Sequence, residues 1–177
     1  KVLFFGLIIA QLGLVVYLSA RVARLAPATA GTLFLAYSAL TGVTFSLILL
    51  AYTGASVANA FFITAGMFGA LAVYGSVTKR DLTGMGRFMF MGLVGLVIAS
   101  VVGIFWQNDA MQFVMGVVGV LVFSGLIAYD TQRLRAMALE VSGEQVGSYA
   151  IVGALSLYLD FINLFMSLLR LFGDRRN

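Results

Sequence analysis

The sequence predicts an all-α polytopic membrane protein, and three observations carry that prediction. Hydrophobic residues fill 62% of the 177 positions and charged residues only 10%, against the roughly one-quarter charged of soluble domains. Six apolar segments, 2–20, 29–52, 56–77, 88–106, 111–129 and 147–171, each come near the ~20 residues that cross a hydrocarbon core. The cations, finally, gather in alternate connections. Each segment is expected to be a helix, because an open strand leaves backbone groups unsatisfied in lipid. With no linker, charge run or fixed-period repeat, residues 1–177 read as one integral membrane helical-bundle domain.

Taken in order, the first segment opens inside an apolar run without an initiator Met, which reads as the start of a fragment and not as a cleaved signal peptide. Arg21 and Arg24 close it, and Pro27, the sole proline, falls in the connection that follows. The second segment ends at Tyr52 and the third runs past Tyr74. Lys79, Arg80 and Arg87 surround the next connection, Trp106 ends the fourth segment, and Tyr129 ends the fifth before Arg133 and Arg135. These seven cations lie on one side, whereas the opposite connections, 53–55 and 107–110, carry none. The positive-inside rule makes the basic side cytoplasmic, and the four aromatics serve as interfacial anchors. Lys1 then starts on the far side, and Arg175 and Arg176 end there if the last segment crosses fully; a re-entrant last segment is the alternative. Small residues at four-residue spacing, Gly66 with Ala70, Ser38 with Gly42, and Gly95, Ala99 and Gly103, are expected to let helices approach closely.

Composition also narrows the chemistry. Cys and His are both absent, which removes thiol nucleophiles, the usual zinc and haem ligands and the commonest neutral-pH switch. No soluble catalytic domain is attached, so no enzyme activity and no cofactor are expected. The net charge of +4 sits in short connections and does not point to nucleic acid.

One residue stands against the apolar background. Asp160, in Leu157-Tyr158-Leu159-Asp160-Phe161-Ile162-Asn163-Leu164-Phe165, falls well inside the sixth segment, where a charge costs roughly 3 kcal/mol or more unless it faces a bundle interior or water. Ser156, Asp160, Asn163, Ser167, Arg170 and Asp174 follow at steps of three or four and form one polar stripe on a helix. Arg170 lies roughly 15 Å along the axis from Asp160, too far to pair with it. The second carboxylate of interest is Asp130, at the end of the fifth segment. An antiparallel hairpin turning near Ser142 and Gly143 brings the two aspartates to similar height and projects beyond the membrane, with Arg133, Arg135, Glu140 and Glu144 solvated. If they meet, the pair shares a proton, which makes a pH sensor without histidine. Fully ionised, it offers the oxygens that calcium prefers, so proton and metal compete. The plainer readings are a span-end carboxylate for Asp130, a structural ion pair for Asp160 (with Arg21 or Arg170 weighed as partner), and polar packing for Asn163 and Ser167.

The Asp160 segment, with Leu168-Leu169-Arg170 after it, Tyr129-Asp130-Thr131-Gln132 before it and Thr78-Lys79-Arg80-Asp81-Leu82 between the third and fourth segments, closely resembles the transmembrane Bax-inhibitor-motif family in a bacterial form. That resemblance spans the chain. It implies a seven-helix fold with the last helix central, of which six are present here and the family's first is missing. It also implies a pH-sensitive calcium leak of the bacterial inner membrane, with Asp130 and Asp160 as the hydrogen-bonded gate and Arg21, to within a residue or so of register, as the latch. Two other function classes fit the residues. One is a regulatory membrane protein acting through a partner such as a membrane protease, the aspartates being structural. The other is an intramembrane aspartyl protease, disfavoured because Leu157-Tyr158-Leu159 precedes Asp160 where that family carries Gly-x-Gly, and Pro27 lies far from the C-terminus.

Overall fold

The computed structural model describes residues 2–21, 24–106, 108–140, Gly143 and 145–175, with backbone alone at Phe4, Phe5 and Gln145. The expectations for Lys1, Gln107, Ser142, Glu144 and Arg176 fall outside these described residues. Six helices follow in order: α1 Val2–Arg21, α2 Pro27–Leu49, α3 Gly54–Val77, α4 Thr83–Phe105, α5 Asp109–Glu140 and α6 Gln145–Phe172. Helices α2 to α6 are long and apolar enough to cross a membrane, and α1 contributes a shorter apolar stretch, Gly6–Arg21.

Local chemistry sets the helix ends. Pro27 belongs to the first turn of α2, where its missing N–H costs nothing and its fixed φ suits the helix. Thr53 caps α3, its hydroxyl accepting the Ser56 amide at 3.3 Å. Asn108 does the same for α5, accepting from the Met111 amide at 2.7 Å. Helix α5 does not stop at Tyr129, where the fifth apolar segment ends, but runs on to Glu140, in keeping with the hairpin expected beyond the membrane. Its 32 residues make a rod of about 48 Å, longer than the ~30 Å hydrocarbon core. Asp130 is therefore a mid-helix residue and not a helix cap. Gly143, at φ 74°, makes the turn into α6. In the overhang Arg133, Arg135 and Glu140 are exposed, as a projecting hairpin requires.

Helix α6 is central. Its Leu155 packs with Leu18 of α1 and with Ala30 and Tyr37 of α2. Leu164 and Leu168 join Val122, Phe123, Leu126 and Ile127 of α5, with Met67, Phe68 and Leu71 of α3 and Leu93 of α4 around them. Phe165 and Leu169 close over Tyr52 and Ala60. The three clusters lie in succession along α6, which packs directly on α2, α3 and α5, while α1 packs chiefly on α2 and α4 on α5. Segregation of polar from apolar residues is also strongest on this helix.

The last segment crosses the full bundle, which removes the re-entrant alternative. Near its start Gly147 abuts Pro27, and the Ser148 hydroxyl reaches the Leu25 carbonyl at 3.4 Å. Beyond its end the tail turns onto the α2–α3 connection. The Thr53 amide donates to the Asp174 carbonyl at 3.0 Å, and the Asp174 amide donates to the Ser56 hydroxyl at 2.8 Å. Arg175 pairs its backbone with Tyr52 and lays its guanidinium over the Tyr52 ring, 5.9 Å from the centroid. Tyr52 is thus buried beneath the tail and is not a lipid anchor, and Tyr129 packs its ring on Gly86. Tyr74 and Trp106 are exposed, as anchors should be.

The small-residue expectation holds at Gly103, which is buried, and needs correcting at several others. Gly66 and Ala70, and likewise Gly42 and Gly95, are exposed, and a Cβ built on any of the three glycines meets nothing within 4 Å. Close approach falls elsewhere. A Cβ on Gly75 would collide with the carbonyl of Ala128, so α3 and α5 touch backbone to backbone there. On α5, Gly119 leaves room for the Ser167 side chain. A four-residue spacing is shared by every face of a helix; only packing selects the face that counts.

Candidate functional site

Asp160 lies on the inner face of α6 and is 6% exposed. The half-buried Asp130 of α5 is its neighbouring carboxyl. The meeting follows from the hairpin: ten residues of α5 lead from Asp130 to Glu140, and fifteen of α6 lead from Gln145 to Asp160. One oxygen of Asp160, Oδ2, is buried and has no hydrogen-bond partner among the described residues. Such a group ordinarily costs about 1–3 kcal/mol or more.

The surroundings are dry on one side. One turn from each aspartate, toward the tail end of α6, stand Ile127 and Leu164, both fully buried and in the same cluster. Together with Leu126 and Leu168 they form an apolar plug beneath the pair. On the opposite side Leu155, Leu18 and Tyr37 pack with Tyr158, whose ring meets those of Phe34 and Tyr37 edge-on at 5.7 and 6.3 Å. Phe161, next to Asp160, stacks edge-on with Phe68 of α3 at 5.4 Å.

The expected polar stripe is divided in two. Asn163, Ser167 and Arg170 line a cavity of about 130 Å³ between α4, α5 and α6, to which Ser100 also contributes and Asp160 does not. The Asn163 amide donates to the Leu159 carbonyl at 2.7 Å, and the Ser167 hydroxyl to the Asn163 carbonyl at 2.9 Å. The Ser167 hydrogen and one of the two Asn163 amide hydrogens are thus spent on their own helix, leaving the other amide hydrogen and the side-chain oxygens free to face the cavity. Ser156 is half-buried one turn before Asp160, and Asp174 lies beyond the helix end. Arg21 is exposed at the end of α1, and the charged neighbour of Asp160 is Asp130. Among the described residues no three His, Cys, Asp or Glu side chains converge on a metal position.

Two polar features were not anticipated from the sequence. The Gln11 side chain of α1 bridges to Thr41 and Thr44 of α2, at 3.1 and 3.3 Å, inside the apolar zone. A lone Gln in the first apolar run was the available signal. Gln132, two residues after Asp130, accepts from the Leu82 amide at 3.0 Å and donates to the Arg80 carbonyl at 2.7 Å. It fastens α5 to the α3–α4 connection, a partnership 50 residues away that no local pattern announces.

A family model described as "Inhibitor of apoptosis-promoting Bax1" matches residues 1–177. The chain belongs to the Bax inhibitor family. Among its relatives is the "Inner membrane protein YbhL" of Escherichia coli strain K12, 50% identical over 179 aligned positions that cover 99% of this chain and 76% of that protein. A protein of Deinococcus radiodurans is 49% identical over 170 positions, 96% of this chain and 74% of its own length. A membrane protein of Streptococcus pyogenes is 42% identical over 171 positions, covering 97% of this chain and 74% of that protein. With five long apolar helices, this Bax inhibitor family member is an integral protein of the bacterial inner membrane.

Proposed function

We propose that the chain is a pH-sensitive calcium leak, gated by the Asp130–Asp160 pair. The single observation that supports it most is a buried Asp160 carboxyl beside the half-buried Asp130 between α5 and α6, with one Asp160 oxygen left unpartnered. Two carboxylates this close repel unless a proton lies between them. With the proton shared, the pair ties α5 to α6 and holds the plug of Ile127 and Leu164 shut. When the proton leaves, repulsion acts directly on the two helices, and the freed oxygens become ligands for a hard cation.

The sign follows: the leak rises as pH rises through the titration of the pair. Calcium takes roughly six to eight oxygens, so two carboxylates hold it only in part and water supplies the rest. Weak, transient binding is what conduction requires. Calcium on this reading is cargo and not a cofactor, and the chain transports without catalysing a reaction. A latch role for Arg21 requires its exposed side chain to turn inward past Leu18 toward the pair.

The test is calcium flux into liposomes containing the purified chain, followed with a trapped dye across pH. Flux should climb with pH for the natural sequence and become flat for Asp130→Asn and for Asp160→Asn, since an amide bonded to a carboxyl mimics the protonated pair. Equal flux with unchanged pH dependence in both variants would falsify the reading.

A further inference from the structure

Five cations, Lys79, Arg80, Arg87, Arg133 and Arg135, emerge at the same end of the bundle, and all are exposed. They come from three separate stretches of chain, which the structure gathers. Gln132 draws the α3–α4 connection against α5 through its two bonds to Leu82 and Arg80. The Arg135 guanidinium adds a bond to the Ser76 carbonyl at the end of α3. The only carboxylate in the connection, Asp81, is exposed, and its Oδ1 accepts from the Thr83 amide at 3.0 Å and the Thr83 hydroxyl at 2.6 Å at the start of α4.

We infer that this end of the bundle is a binding site for the headgroup of an anionic phospholipid, assembled by Gln132. The position decides the class of ligand. Here α3 and α4 leave their apolar stretches, so the cations stand at headgroup depth beside exposed Val77 and Phe88, which lie against the acyl chains. A lipid phosphate there meets five exposed cations against the single carboxylate of Asp81, so the balance of charge favours an anion. Basic side chains at a membrane surface attract anionic lipid additively, and the attraction is screened by salt. The inference does not depend on the leak: it concerns another surface and is read by stability, not by flux.

The experiment measures thermal unfolding of the full chain in nanodiscs of phosphatidylcholine alone and of phosphatidylcholine with one part in three of phosphatidylglycerol. Anionic lipid should raise the midpoint of the natural sequence by roughly 5 °C at low salt, and by little at high salt. The variant Lys79→Gln/Arg80→Gln/Arg87→Gln/Arg133→Gln should melt near the natural sequence in phosphatidylcholine and lose the anionic-lipid shift. Gln132→Ala changes no charge, yet should lose at least half of the shift, because the cations of α5 are no longer held against those of the α3–α4 connection. A shift that survives the fourfold variant overturns the site, and one untouched by Gln132→Ala overturns its assembly in favour of diffuse attraction. An equal shift with inorganic phosphate in phosphatidylcholine discs overturns the lipid as ligand.

Discussion

Helices α4 and α6 invert what is familiar from soluble proteins. With a mean hydropathy of 2.5 over its most apolar window, α4 is the most apolar of the five candidate spans, and α6, at 1.7, is among the least. Yet α4 buries only Gly86 and Gly103 and turns Phe88, Phe90 and Met91 outward, whereas α6 holds the middle. The reason is the solvent. Lipid is as good a medium for Phe or Val as a protein core, so apolar faces gain little by turning inward. A carboxylate, an amide or a hydroxyl gains a great deal, because the alternative is hydrocarbon. Polarity and small size therefore sort the helices.

The aspartate pair gives the largest expected effect and the most direct way to break this comparison. If α6 is central because its polar groups work, the natural sequence should change its calcium flux roughly tenfold over the pH range in which the pair titrates, the factor that about 1.4 kcal/mol supplies. In Asp160→Asn the change should shrink to nearly nothing. A matched polar substitution on α4, Val97→Asn, should leave the pH profile as it was. Liposome flux of the three proteins side by side decides it.

Next in size is a packing contrast. Gly75→Leu pushes a side chain into the Ala128 backbone and should cost about 1–3 kcal/mol, while Gly95→Leu, on the open face of α4, should stay within about 0.5 kcal/mol. Thermal unfolding in detergent measures both, and equal losses would mean that the α4 face is covered.

Of the smaller effects, Ser56→Ala removes the acceptor for the Asp174 amide and should cost about 0.5–1.5 kcal/mol by loosening the tail from the α2–α3 connection. Faster hydrogen exchange at Asp174 than in the natural sequence would show the site of the loss. Asp81 gives the smallest. The Thr83 hydroxyl and amide hold its carboxyl below the ordinary carboxylate range. Its stabilising contribution is present above the unfolded value near 3.8 and is lost as pH falls through the lower folded value. Thr83→Ala removes the hydroxyl bond, the leading cause, and should bring the Asp81 titration, followed by NMR, back toward 3.8.

Much was legible before any coordinates. The six apolar segments each became a helix, because lipid admits few alternatives for a backbone. Asp160 was conspicuous because nothing nearby in sequence compensates its charge, and the distance from Asp130 to Asp160 suited a hairpin. Where the reading missed, it had relied on local pattern for a long-range choice. Tyr52 looked like an anchor until the tail at Asp174 and Arg175 covered it. Gly66 and Gly95 carried the packing spacing but faced outward, and Gly75 carried the contact.

What the sequence by itself determined is the class of the protein, the number of its helices and the residue most out of place, since hydropathy and the cost of a buried charge act on each segment alone. Only the tertiary structure decided that Asp130 faces Asp160, that the polar stripe parts into a carboxyl pair and an arginine-lined cavity, and that Gln132 binds a connection 50 residues away. Those choices depend on how helices rotate and slide against one another. The energies that set rotation and sliding belong to pairs of helices, so no single segment carries them.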